Sequence, residues 1–173
     1  MRSANCEVNQ LACIALGSNL GDSPRIVREA MERLQAFSDR PVRKSSLWQT
    51  SPVNCPPGSP LFVNAVVNLV PRADETPESL LAKLRALERE SGRQSKTIPN
   101  EPRPLDLDLI VFGAETRNLP ALILPHPRAH LRRFVLQPLN EIAPDLVLPG
   151  GRKTVAELLV DLPGGETVER ITS

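Results

Sequence analysis

Apolar residues change their spacing along this chain in a way that separates strands from helices. From Leu11 to Leu16 they run almost unbroken and stop at Gly17, Asn19 and Gly21, which predicts a buried strand followed by a tight turn. Ile26, Val27, Ala30, Met31 and Leu34 then recur at helical intervals behind Asp22 or Ser23 as cap and Pro24 at the first position, so a helix is expected to end near Phe37. Val42 to Trp48 offers weak strand alternation, and Val63 to Val70 a stronger β-type run. Thr76 to Ser91 opens as T-P-E-S, places Leu80, Leu81, Leu84 and Leu87 on one face and closes at Gly92, the signature of a capped helix. Leu105 to Phe112 and Leu119 to Leu124 are read as strands, Phe134 to Ile142 as a short helix and Val155 to Leu159 as a final helical turn.

The order β-α-β-β-α-β places the chain in the α+β class with a ferredoxin-like split βαβ core. A length of 173 residues suits one domain, expected over residues 11–162, with a polar N-terminal extension at 1–10 and a C-terminal tail at 163–173. Two stretches, TSPVNCPPGSP and GRQSKTIPNEPRP, carry too many prolines for helix or ladder, and loops of that length in a compact domain usually serve a function.

Composition narrows the partners. Lys plus Arg number 21 against 20 Asp plus Glu, so no chain-wide field recommends nucleic acid or an anionic membrane, and phosphate binding has to come from local placement. The start MRSANCEVNQ lacks an apolar h-region and no apolar run approaches the ~20 residues of a membrane span, so a cytoplasmic protein is expected. Cys6, Cys13 and Cys55 are odd in number and lack C-x-x-C spacing, which argues for free thiols.

The candidate chemistry centres on LDLDLI. On a strand, Leu105, Leu107 and Leu109 enter the core while Asp106 and Asp108 leave on the opposite face, their attachment points roughly 6.6 to 6.8 Å apart. Such a pair is either a solvated face or a carboxylate pair for metal ions about 3.5 to 4 Å apart, as in two-metal phosphoryl chemistry. Arg93, Lys96 and Arg103 stand in the preceding Pro-rich loop, and metals beside guanidinium forks are what polyphosphate binding requires. His126 in LPHPR is either a plain loop histidine or a donor to phosphate or ribose. Arg132 and Phe134 place a cation beside an aromatic, although Phe134 also reads as a packing residue at a helix start. Asn64 offers donor and acceptor to a heterocycle edge or simply ends a strand. GSNLG lacks the spacing of a P-loop or dinucleotide site and reads as a turn.

Four blocks occur in one order: ALGSNLGD, FVNAVV behind a T-x-P loop, EPRPLDLDLIVFG, and LPHPRAHLRRFVLQPLNEIAP, together spanning roughly Ala12 to Val160. In this combination the chain resembles the 6-hydroxymethyl-7,8-dihydropterin pyrophosphokinases. The resemblance implies a layered α/β/α core, pyrophosphoryl transfer from ATP to the pterin's hydroxymethyl group with release of AMP, and long loops that close over the substrates. It assigns Asp106 and Asp108 to two magnesium ions, and Thr50, Val53, Phe62, Asn64 and Phe134 to the pterin. It assigns Glu88, Arg93, Arg103, His126 and Arg132 to ATP, with Lys96 as the substitute for the loop arginine absent at Ser95, and counts Arg93 and Arg103 among the catalytic residues. ATP and the pterin are the expected partners of a monomer, with no nucleic acid and no membrane. The chain departs from familiar members at Ser95, Asn100, Glu101 and Arg133. The competing expectation is a non-catalytic ferredoxin-like binding module, such as an RNA-binding sheet, which needs exposed sheet aromatics and a basic surface.

Overall fold

The structure is a computed structural model and describes residues 11–92 and 98–172. Strand β1 (Ala12–Ser18) leads through a turn into helix α1 (Ser23–Arg33), which is prolonged by a 3-10 turn, Leu34–Phe37. Asp22 caps α1 by accepting from Arg25 N, and Pro24 occupies a first-turn position where no N–H is needed. Strands β2 (Arg43–Lys44), β3 (Trp48–Thr50) and β4 (Phe62–Leu69) follow, then helix α2 (Pro77–Glu90), opened by a capping box between Thr76 and Ser79. Strand β5 (Asp106–Phe112) precedes a hairpin of β6 (Arg117–Leu119) and β7 (Leu122–Leu124), helix α3 (Arg133–Ile142), helix α4 (Val155–Asp161) and strand β8 (Val168–Arg170).

The main sheet runs β5-β1-β4-β3-β8 with β2 also on β4, and every pairing is antiparallel. The order of β5, β1, β4 and β3, joined through α1 and α2, is that of the split βαβ core expected from the sequence. Alternation then decides what each face buries. Ala12, Ile14 and Leu16 of β1 pack with Val27, Ala30 and Met31 of α1 and Leu80, Leu84 and Leu87 of α2. On the other face Cys13, Val66, Ile110 and Val111 pack under Val135, Leu136, Leu139 and Ile142 of α3 and Val155 of α4. The sheet is thus covered by helices on both sides, an α+β architecture in three layers. Burial pushes the Cys13 thiol up to about 12, so it is an inert core group.

Three elements differ from expectation. Leu119 to Leu124 is two strands, because Pro120 and Ala121 form the turn that sets Leu119 opposite Leu122. Val42 to Trp48 is interrupted between β2 and β3, where the Ser45 hydroxyl accepts from Val66 N at 2.9 Å. The stretch after residue 162 contributes β8, which pairs along β3 from Thr50↔Val168 to Trp48↔Arg170. The extension at 1–10 lies outside the described residues. Among the described residues no helix is long and apolar enough to cross a membrane.

Candidate active site

The acids stand on the α3 face of the sheet. Asp106 lies opposite Gly17 and Asp108 opposite Ala15 on β1, and Gly17 lies opposite Asn64 on β4. With strands about 4.8 Å apart, Asp106 and Asn64 are roughly 9.6 Å apart at their Cα atoms, with the smallest possible residue between them. That gap has to stay empty: a Cβ at Gly17 would stand 3.1 Å from Asn64 Oδ1 and 3.8 Å from the Phe62 ring. A bulge follows the acids, since Cys13 faces Val111 and Ile14 faces Leu109. Ile110 and Val111 therefore both turn toward α3 and close the core beside the site.

Two cavities meet at these carboxylates. The first, of about 250 Å³, is lined by Gly17, Thr50, Val53, Phe62, Asn64 and Phe134 among others. The second, of about 400 Å³, is lined by Arg85, Glu88, Pro120 and His126 among others. Asn100, Arg103, Asp106, Asp108, Arg128 and Arg132 line both and so form their common wall.

The wall is built from opposed charges held close. Arg103 Nε is 3.4 Å from Asp106 Oδ2, with the two side chains only 15% and 22% exposed, and its guanidinium lies 5.9 Å from the Phe62 ring centre. The Arg132 guanidinium lies 5.4 Å from the Phe134 ring, so each aromatic is backed by a cation. Burial, and then the neighbouring Arg128 charge, lowers the Arg132 pKa from its ordinary value. Burial together with Arg132 and Arg128 pushes His126 down to about 4, which leaves a neutral imidazole at physiological pH. Its Nδ1 accepts from Arg128 N at 3.2 Å, placing the ring N–H on Nε2.

Supporting bonds hold these groups in place. Asn64 Nδ2 donates to Thr50 Oγ1 at 2.6 Å in a buried contact that joins β4 to β3. Glu88, buried at the end of α2, accepts from Leu107 N at 2.7 Å and so pins the edge strand between the two acids. Asn19, only 3% exposed, accepts through Oδ1 from Arg103 N at 2.9 Å, donates its own N–H to Arg103 O at 3.2 Å, and reaches Pro60 O through Nδ2 at 3.5 Å. The GSNLG turn therefore ties both Pro-rich loops to β1.

Of the residues singled out in the sequence, Thr50, Val53, Phe62, Asn64 and Phe134 line the first cavity, Glu88 and His126 the second, and Arg103, Asp106, Asp108 and Arg132 both. Arg93 and Lys96 lie outside the described residues. Arg128 and Glu166 carry no expectation from sequence, and Asn19 none beyond the turn, yet all three belong here, Glu166 as a lining residue of the first cavity. Among the described residues no group of three or more His, Cys, Asp or Glu forms a metal cage. Two carboxylates on a wall shared with cations suit magnesium, which takes one or two carboxylates and completes its shell with water and substrate phosphates.

The family profile described as 7,8-dihydro-6-hydroxymethylpterin-pyrophosphokinase matches residues 13–144. The chain is 39% identical over 163 residues to the 2-amino-4-hydroxy-6-hydroxymethyldihydropteridine pyrophosphokinase of Pseudomonas aeruginosa, covering 94% of this chain and 97% of that protein. It is 37% identical over 149 residues to a folic acid synthesis protein of Pneumocystis carinii, of which it spans only 20%. The fold also matches a crystal structure of the wild-type HPPK-DHPS of Plasmodium falciparum with pteroate, at a TM-score of 0.69 and 13% identity, over 87% of this chain and 44% of that one.

Proposed function

Because this chain belongs to the 7,8-dihydro-6-hydroxymethylpterin-pyrophosphokinase family, we propose that its first cavity takes the pterin and its second the ATP. The reaction is ATP-dependent pyrophosphoryl transfer to the hydroxymethyl group of 6-hydroxymethyl-7,8-dihydropterin in folate biosynthesis, with release of AMP. The observation that carries the assignment of sites is the common wall: two adjoining cavities share Arg103, Asp106, Asp108 and Arg132. An alcohol in one and a polyphosphate in the other meet at those side chains.

In this reading the flat heterocycle lies between Phe62 and Phe134, with the Asn64 amide fixed by Thr50 at its edge. The hydroxymethyl oxygen then points at the wall and attacks the β-phosphorus in line, displacing AMP. Asp106 and Asp108 would hold two magnesium ions. Bound there, magnesium supplies neutralisation of phosphate charge and polarisation of the alcohol. Arg103, Arg128 and Arg132 neutralise the phosphate oxygens that remain, and the neutral His126 donates through Nε2–H. Glu88 acts by holding β5, through the Leu107 N–H, at the height the acids require. Positioning and charge neutralisation provide most of the rate in such transfers. Both cavities and their wall come from a single chain, so a monomer suffices for the reaction.

The sheet face that an RNA-binding module would use for stacking instead holds Asp106 and Asp108, which repel a phosphate backbone unless cations intervene. The deciding assay is AMP release from Mg-ATP with and without 6-hydroxymethyl-7,8-dihydropterin. Pterin-dependent AMP without ADP is expected; ADP, or AMP at a rate indifferent to the pterin, would overturn the assignment.

A further inference from the structure

Two loops border the first cavity, and one side chain joins them directly. The first loop connects β3, which ends at Thr50, to β4, which starts at Phe62; the second leads through Asn100 and Arg103 into β5. Asn100 Nδ2 donates to Asn54 O at 2.8 Å, across 46 positions of sequence. Both residues line the first cavity, yet both are exposed and belong to neither core. The Asn19 amide ties the same two loops at Arg103 and Pro60, beside the ends of β5 and β4. The loops are therefore joined twice, once near the sheet and once farther out.

The backbone singles out the same pair. Asn54, at φ 53°, and Asn100, at φ 56°, are the two non-glycine residues with left-handed backbone among the described residues. Asparagine enters this region more readily than most side chains, but it has to be held there by its surroundings, and such residues collect at ligand clamps. A bond that spans two loops and has left-handed backbone at each end fixes their relative position more firmly than a contact between freely rotating surface groups.

We propose that Asn100 is a positioning residue for the pterin cavity: its amide latches Asn54, with Val53 beside it in the same lining, and so sets that side of the cavity before the ligand arrives. A wall already in place spares the ligand the cost of ordering it. No bond is made or broken at Asn100, so its effect falls on how tightly and how long the ligand is held, and leaves the chemical step alone. The proposal deepens the functional reading above and rests on it for the identity of the ligand.

Two variants test it. Asn100→Gly keeps the left-handed backbone and removes the donor, whereas Asn100→Asp keeps the size and the left-handed preference and turns an acceptor toward the Asn54 carbonyl. A neutral hydrogen bond is worth about 2- to 10-fold in an equilibrium constant. The expected result in both variants is a pterin dissociation constant by calorimetry, and a pterin KM, raised by at least about twofold, with kcat and the melting temperature unchanged. Affinity equal to wild type would overturn the proposal, as would a fall in kcat at unchanged affinity. Loss in one variant alone overturns it too, because glycine alone would report chain stiffness and aspartate alone a repulsive charge. In the free protein the backbone order parameter of Asn54 should fall in both variants from the rigid range near about 0.85 toward about 0.6. That readout needs no ligand: if wild type binds no pterin, the functional reading falls, and an order parameter unchanged in Asn100→Gly would overturn the latch as well.

Discussion

Asn19 offers a direct check on the idea that the turn after β1 organises the active site. In Asn19→Ala the Arg103 N–H loses its 2.9 Å acceptor while staying in a segment whose Arg103 side chain is only 15% exposed. The weaker reach to Pro60 O at 3.5 Å goes too, so the first loop loses its tie and the Arg103 segment keeps only the main-chain bond from Asn19 N–H to Arg103 O. A donor left unpaired in a buried setting costs about 1–3 kcal/mol. Taken as a bias against the conformation that holds Arg103 beside Asp106, it lowers the competent population, and with it kcat/KM, by about 10- to 100-fold. The assay is pterin-dependent AMP formation at 25 °C, well below the melting transition, where a change in global stability leaves most molecules folded. Leu20→Ala is the control: Leu20 is 47% exposed and its removal is expected to stay within twofold of wild type. An Asn19→Ala enzyme with kcat/KM within twofold of wild type would refute the reasoning, because the loops would then be held by something other than this amide.

Asp106→Asn and Asp108→Asn are each expected to lower kcat by at least about 100-fold with an unchanged melting curve, since both carboxylates face cavities and pack into neither core; near-normal turnover in both would remove them from the chemistry. Asn68 is 1% exposed with neither side-chain atom hydrogen-bonded, so Asn68→Val is expected to raise stability by about 1–3 kcal/mol, read as a shift in urea midpoint at constant m-value. For His126 the folded pKa of about 4 lies below the unfolded value of 6.5, so the unfolded chain takes the proton first: its contribution is nil above pH 6.5 and stability is lost as pH falls from there toward 4. Urea midpoints across that window should fall less steeply in His126→Gln than in wild type, and equal slopes would contradict the depressed pKa.

What the sequence made legible follows from periodicity. Leu105, Leu107 and Leu109 against Asp106 and Asp108 specify opposite faces before any partner strand is known, and both acids stand where alternation puts them. The pattern stops being readable at Ile110, because the bulge there is set by how β5 pairs with β1 and leaves no local mark in IVF. The hairpin at Pro120 was within reach, since proline opens a turn more readily than it continues a strand. Asn19 reads as turn chemistry alone; its role depends on Arg103 and Pro60, which only the fold brings to it. Glu166 gave no signal, since LPGGET reads as a polar tail and its place in the cavity follows from β8 docking on β3.

The balanced chain-wide charge conceals how uneven the wall is. Three guanidinium groups, Arg103, Arg128 and Arg132, line it with two carboxylates, and His126 beside them is driven to its neutral form. The Arg132 pKa is pushed down first by burial and next by the neighbouring Arg128 charge, against the opposing pull of Asp108 and Asp106. A fold selected for stability alone would spread such charges into solvent, where they interact weakly. Their convergence is explained by a ligand that brings several negative charges at once, which a triphosphate does. The same logic accounts for the neutral histidine. Among three arginines a fourth cation would add repulsion, whereas an imidazole with its N–H on Nε2 adds a donor and no charge. In the reading proposed above, the two acids beside the cations have a distinct part: a pair of carboxylates favours a polyphosphate that arrives with divalent metal over other polyanions.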